Sequence, residues 1–223
     1  ELWMVRPMLR KIADLKEVPA VLCSGSISTD TTAELLYVGP GNLEKFYQGK
    51  DVQGKIVLVN VTPETARRMA VEKFGAAGLI GYASSHPEHD PDQVGWNSLR
   101  TSEKEKPTFA FMVSTRQGQT LRDLLERGQR IEVRAVARTQ NVASKDQMVA
   151  ALLPGQDYPE EELVFTAHLF EGTAMQGAND NASGCVSILE TARVIKNLVD
   201  QGKIPPLRRS VRFLFVPEIS GTA

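Results

Sequence analysis

The run Ile56-Val57-Leu58-Val59 constrains this chain more than any other stretch, because four consecutive apolar side chains leave no polar face for water. A strand sends successive side chains to opposite faces, so such a run has to be covered on both, as in a sheet flanked by other layers. Ala76 to Tyr82 and Phe109 to Val113 are further apolar runs of strand length. Between them lie helix signals. Thr62-Pro63-Glu64 offers a capping Thr with Pro at the first helical position, and Ala66, Met69, Ala70 and Phe74 then share one face up to Gly75. Ser114 to Gln117 has the form of a capping box, and Leu121, Leu124 and Leu125 give the following helix an apolar face that ends at Gly128.

Around these elements, Leu35 to Val38 precedes the turn Gly39-Pro40-Gly41, and Ile131 to Ala135 alternates as a half-exposed strand does. Leu2 to Val5 is a short apolar run. Pro7 to Val18 spaces Leu9, Ile12, Ala13 and Leu15 as a helix would, and we read it as a packing segment. Ser84 to Lys106 is polar and without period, the pattern of a long functional or mobile loop. A second region opens near Asn141: strands over Met148 to Leu153 and Leu163 to Ala167, a long helix over Ser183 to Val199, and a strand over Val211 to Val216. That order begins an α/β layer architecture.

Twenty-six basic against 27 acidic residues leave a net charge of -1, so no overall field draws nucleic acid or an anionic membrane, and we expect neither as a partner. No apolar run approaches the roughly 18 residues of a membrane-spanning helix. Cys23 and Cys185 stand far apart and form neither a disulfide framework nor a zinc-knuckle spacing. Glu1 and Ala223 both read as fragment boundaries, so missing targeting signals carry no meaning and the compartment stays unknown.

Chemistry concentrates between Val164 and Glu218. A buried strand delivers His168 at its carboxyl end, the edge at which ligands gather in open α/β sheets. Gly177-Ala178-Asn179-Asp180-Asn181-Ala182-Ser183-Gly184 then sets Asp180 at the mouth of the long helix among small and amide side chains. Imidazole nitrogen and carboxylate oxygen are zinc donors, and the helix amino terminus favours the charged carboxylate. Phe213-Leu214-Phe215-Val216-Pro217-Glu218 aims Glu218 at the same edge, where a carboxylate is the usual general base of metal-assisted hydrolysis.

The run HL...GANDNASG, followed by a helix and RxVRFLFVPEISGT, resembles the co-catalytic di-zinc aminopeptidase family, in particular its aminopeptidase-like bacterial branch. The stretch from about Glu34 to Arg138, with DVQGKIVLV and PTFAFMVS, is similar to the protease-associated domain inserted in many members. The resemblance implies an α/β chain. Residues 1–33 would be an N-terminal segment packing on the catalytic domain, 34–138 a β-rich protease-associated domain, and 139–223 the N-terminal half of a zinc-peptidase α/β/α sandwich with a mixed sheet.

It further implies a zinc exopeptidase acting on peptide substrates, with two zinc ions in the complete site, His168 ligating one, Asp180 bridging both, and Glu218 as base or further ligand. It leaves a homo-oligomer open. Phe170 stands where many members carry the Asp that steadies the imidazole, with Glu171 as the conjectured substitute, and Ile219 stands where many carry a second glutamate. The family takes its remaining zinc ligands from later sequence, so the 223-residue chain alone is expected to be inactive. The alternative that Phe170 and Ile219 favour is a non-catalytic peptidase-fold scaffold whose protease-associated domain mediates protein interaction.

Other features have plainer readings. His86 and His89 sit in a polar loop and read as solvated, and Trp96 as a residue pinning that loop. The sequons at Asn60 and Asn181 read as coincidence, Arg208, Arg209 and Arg212 as the solvated flanks of a strand, and Cys185 as packing.

Overall fold

A computed structural model describes residues 1–100, 102, 104–170 and 176–218. The chain divides into two compact units, Glu1–Asn141 and Val142–Ala223. Both are α/β, each built on a mixed sheet.

In the first unit the strands are β1 (Leu2–Arg6), β2 (Arg10–Ala13), β3 (Thr29–Tyr37), β4 (Ile56–Val59), β5 (Gly78–Gly81), β6 (Phe109–Met112) and β7 (Glu132–Ala137). They form one sheet in the order β2-β1-β7-β3-β4-β5-β6. The β3-β4-β5-β6 part is parallel, and β7, β1 and β2 continue it antiparallel. The central run behaves as its composition requires: Ile56, Val57, Leu58 and Val59 are each fully buried. Ile56 and Leu58 join Leu35, Ile80, Phe109 and Phe111 on one face, where helix α2 (Thr115–Glu126) contributes Leu121. Val57 and Val59 join Leu79 and Met112 on the other, against Ala66, Ala70 and Val71 of α1 (Pro63–Arg67) and its π-helical continuation Arg68–Lys73. Burying each such side chain stabilises by about 1.5–3 kcal/mol, so this strand anchors both layers.

The capping box at Ser114 is present in full, with Gln117 N–H donating to Ser114 Oγ and Gln117 Oε1 accepting from Ser114 N–H. At α1 the expectation holds in part. Thr62 and Pro63 take the cap and first helical positions, but the Thr62 hydroxyl meets Thr65 Oγ1 at 2.9 Å and caps no backbone N–H. The helix expected over Pro7 to Val18 is absent. Arg10–Ala13 is a strand paired antiparallel to β1, and Leu9 and Leu15, which defined the helical face, are 74% and 45% exposed. Ile12 and Ala13 do reach the core, but from a strand, and backbone pairing to the sheet edge outweighs a helical spacing whose other two members stay in solvent. Through β1 and β2 the first residues of the chain belong to this sheet.

The second unit holds β8 (Val149–Leu153), β9 (Tyr158–Phe170), helix α3 (Gly184–Asp200) and β10 (Arg209–Pro217). The sheet order is β8-β10-β9, with β10 parallel to β9 and antiparallel to β8. Adjacent parallel strands need a crossover, which α3 supplies, so β9-α3-β10 is a βαβ unit. Val211, Phe213 and Phe215 of β10 pack with Leu153, Phe165, Cys185, Ile188, Ala192 and Ile195, and the Phe165 and Phe213 rings stack at 5.5 Å. Arg208, Arg209 and Arg212 are more than solvated flanks: they pair with Asp157, Glu161 and Glu162 respectively. Among the described residues no helix is long and apolar enough to cross a membrane.

Candidate metal centre

The parallel pairing of β9 and β10 sets Val216 opposite His168 and Pro217 opposite Phe170. Both strands therefore end at one edge, and Glu218, directly after β10, lies at the edge that His168 occupies. His168 is the third residue from the end of β9, and its side chain is 18% exposed.

Between β9 and α3 the chain turns through Ala178–Ser183. Gly177 enters with φ +65°, a left-handed backbone that glycine adopts without steric cost. Asp180 (φ -110°, ψ 97°) and Asn181 (φ -132°, ψ 32°) leave the helical region, with a cis peptide between them. Ala182 N–H donates to Gly177 O at 2.9 Å, Ser183 Oγ–H to Asn179 O at 2.6 Å, and Gly184 N–H to Asn181 O, which together hold the turn. Gly184, the first residue of α3, lies against the Asn181 amide, since a Cβ there would stand 2.0 Å from Asn181 Oδ1.

This turn carries the Asp180 carboxylate, 80% exposed, to the imidazole: His168 Nε2 and Asp180 Oδ1 are 3.0 Å apart. Two donors on neighbouring corners of a tetrahedral zinc are separated by about 3.3 Å when each bond is about 2.0–2.1 Å. The pair thus has the donor chemistry and nearly the spacing of two ligands of one ion. Among the described residues no group of three or more His, Cys, Asp or Glu side chains gathers as a metal cage. The structure brings His168 and Asp180 together and places Glu218 on their edge. Phe170 is 48% exposed, while Glu171 and Ile219 lie outside the described residues.

One neighbour of the pair, read from the sequence as packing, also makes a bond that the sequence did not signal. The Cys185 thiol, in the first turn of α3, donates to the main-chain carbonyl of His168 at 3.1 Å while packing on the β10 core. Burial raises its pKa above the usual thiol range, so it stays protonated and able to donate at neutral pH. Elsewhere, His86 and His89 are exposed beside Glu88, as their loop context suggests, and Trp96 is half-buried.

Comparison with known proteins bears on the second unit. Residues 148–217 match Peptidase family M28. The resemblance read in GANDNASG is thereby borne out, and the matched segment runs from before β8 to the last residue of β10. Carboxypeptidase Q of Bos taurus is 28% identical over 87% of the chain. Two similar solved structures are the aminopeptidase from Aneurinibacillus sp. strain AM-1 and a zinc aminopeptidase from Bacillus subtilis. The first has a TM-score of 0.65 and 24% identity over 96% of the chain, the second 0.64 and 24% over 87%. At that identity the structures show that the M28 segment and the unit before it share the α/β fold of these enzymes. The chain spans 42% of the bovine protein and 48% and 44% of the two structures.

Proposed function

We propose that the complete gene product is a zinc-dependent exopeptidase that removes residues from the amino end of peptides. The observation that carries this reading is the 3.0 Å approach of His168 Nε2 to Asp180 Oδ1 at the carboxyl edge of a sheet, within a segment matching a peptidase family. His168 would hold one zinc through Nε2 and Asp180 would bridge two. Bound there, zinc supplies Lewis-acid polarisation of a scissile carbonyl and lowers the pKa of a bound water toward about 7. The remaining work falls to the chain. Glu218, on the same edge, takes the proton of the attacking water and returns it to the leaving amine. The main-chain bond from Cys185 and the turn closed by Ser183 keep the two donors in place. The 223-residue chain supplies only part of such a coordination sphere and would be inactive alone. Residues 34–138 would be a protease-associated domain and 139–223 the catalytic part, while residues 1–33, expected to pack on the catalytic part, give β1 and β2 to the sheet of the first unit.

The test is zinc content by plasma mass spectrometry together with hydrolysis of amino-acyl anilides. Two zinc per chain with release of the amino-terminal residue supports the reading. Cleavage restricted to the free carboxyl end of amino-blocked peptides would move the specificity to that of the bovine relative's name. Phe170 and Ile219, in place of an Asp and a Glu, favour a second reading, a peptidase fold kept as a binding scaffold. Less than about a tenth of a zinc per chain, with no hydrolysis when metal is supplied, would decide for it.

A further inference from the structure

The geometry points to Cys185 as a positioning residue that orients the His168 imidazole toward Asp180 through a bond to the His168 main chain. This rests on the reading of His168 and Asp180 as metal donors. His168 sits two residues before the end of β9, and because β9 is the outer strand of β8-β10-β9 its main chain pairs with a strand on the β10 side, opposite Val216. The Cys185 thiol supplies one further restraint at 3.1 Å from the His168 carbonyl oxygen. The donor is itself fixed: Cys185 lies in the first turn of a 17-residue helix and packs with Val211, Phe213 and Phe215. The same turn begins with Gly184, which admits the Asn181 amide next to Asp180. Two adjacent residues of α3 therefore govern both halves of the donor pair, Cys185 through the strand and Gly184 through the loop.

A thiol is a weak donor, but one fixed by its helix still restrains the main chain it bonds, and a small turn of that main chain swings the imidazole. Groups behind metal ligands characteristically act this way, and losing one costs about 10–100-fold in affinity. Packing alone would make a different demand, since any small side chain would then serve.

The experiment compares Cys185→Ala with Cys185→Ser in the complete gene product. Both lose the sulfur, so packing changes alike, and only Ser keeps a donor. Two readouts are taken: the imidazole 15N resonances of His168 in metal-free protein, and zinc affinity by chelator competition. Positioning predicts that Ala shifts the His168 resonances and weakens zinc binding about tenfold, while Ser leaves the resonances near those of the wild type and affinity within about threefold. Equal effects of Ala and Ser, or none from either, would overturn it. A wild type that binds no zinc defeats the metal reading, and the 15N comparison then still judges the positioning role.

Discussion

His168 Nε2 and Asp180 Oδ1 stand 3.0 Å apart although twelve residues separate them in the chain. The contact depends on two elements that meet at one sheet edge. Strand β9 delivers the imidazole, and the Ala178–Ser183 turn carries the carboxylate back toward it before α3 begins. A hydrogen-bonded His–Asp pair can serve either as two ligands or as a ligand with its orienting carboxylate, and substitution separates these.

His168→Ala and Asp180→Ala are each expected to lower the zinc content of the complete gene product. A bridging Asp180 touches two ions, so its loss should remove both, whereas loss of His168 should leave close to one. Metal counted after gel filtration against a zinc-free buffer checks this. Equal losses would assign the two residues to a single ion.

Gly184→Ala should disturb the site more than the fold. The new Cβ would fall 2.0 Å from Asn181 Oδ1 and 2.8 Å from Asn181 Cγ, so the amide has to swing out. Gly184 has an ordinary helical backbone, φ -63° and ψ -45°, and Ala is favoured over Gly there by about 1 kcal/mol. The two effects oppose each other in stability, and urea unfolding should show a change within about 1 kcal/mol. Zinc affinity has no such compensation and should fall clearly below that of the wild type.

Much of this was legible in the chain itself. Ile56 to Val59 announced a strand covered on both faces because no polar residue interrupts it, and Ser114 with Gln117 announced a helix start because its two bonds depend only on local spacing. That His168 and Asp180 would meet was legible because one stands at a strand end and the other at a helix mouth on the same sheet edge, where open α/β sheets collect ligands. The segment Pro7 to Val18 misled because periodicity records spacing and not whether a neighbour exists to be packed against, and Leu9 has none. Cys185 was legible as a packing residue, but its bond to His168 left no mark, because the acceptor is a main-chain carbonyl, which every residue has.

Cys23 should be chemically silent in the folded protein. It is 1% exposed in the core beside Val57 and Leu79, and burial pushes its thiol up to about 12. At pH 8 it should react with a thiol reagent such as dithionitrobenzoate only at the rate of unfolding, whereas Cys185, only part-buried, should react sooner. Two thiols released together in native buffer would show that the core around Cys23 opens independently of the rest.

The acid limb of stability should carry a contribution from Asp14 in the first unit. Its carboxylate accepts from Lys11 Nζ at 2.7 Å and from Lys16 N–H at 3.0 Å, and these bonds, led by the one from Lys11, hold it below the usual carboxylate range. A carboxyl whose folded pKa lies below its unfolded value binds fewer protons in the folded state, so it stabilises above the unfolded value of about 3.9. That contribution fades as pH falls through the folded pKa. Asp14→Asn should therefore be less stable than the wild type at pH 7, and the gap should close as urea titrations are carried down through pH 4 toward pH 2. A gap that stays constant over that range would show that the Asn side chain fails for steric reasons and that the charge of Asp14 contributes nothing.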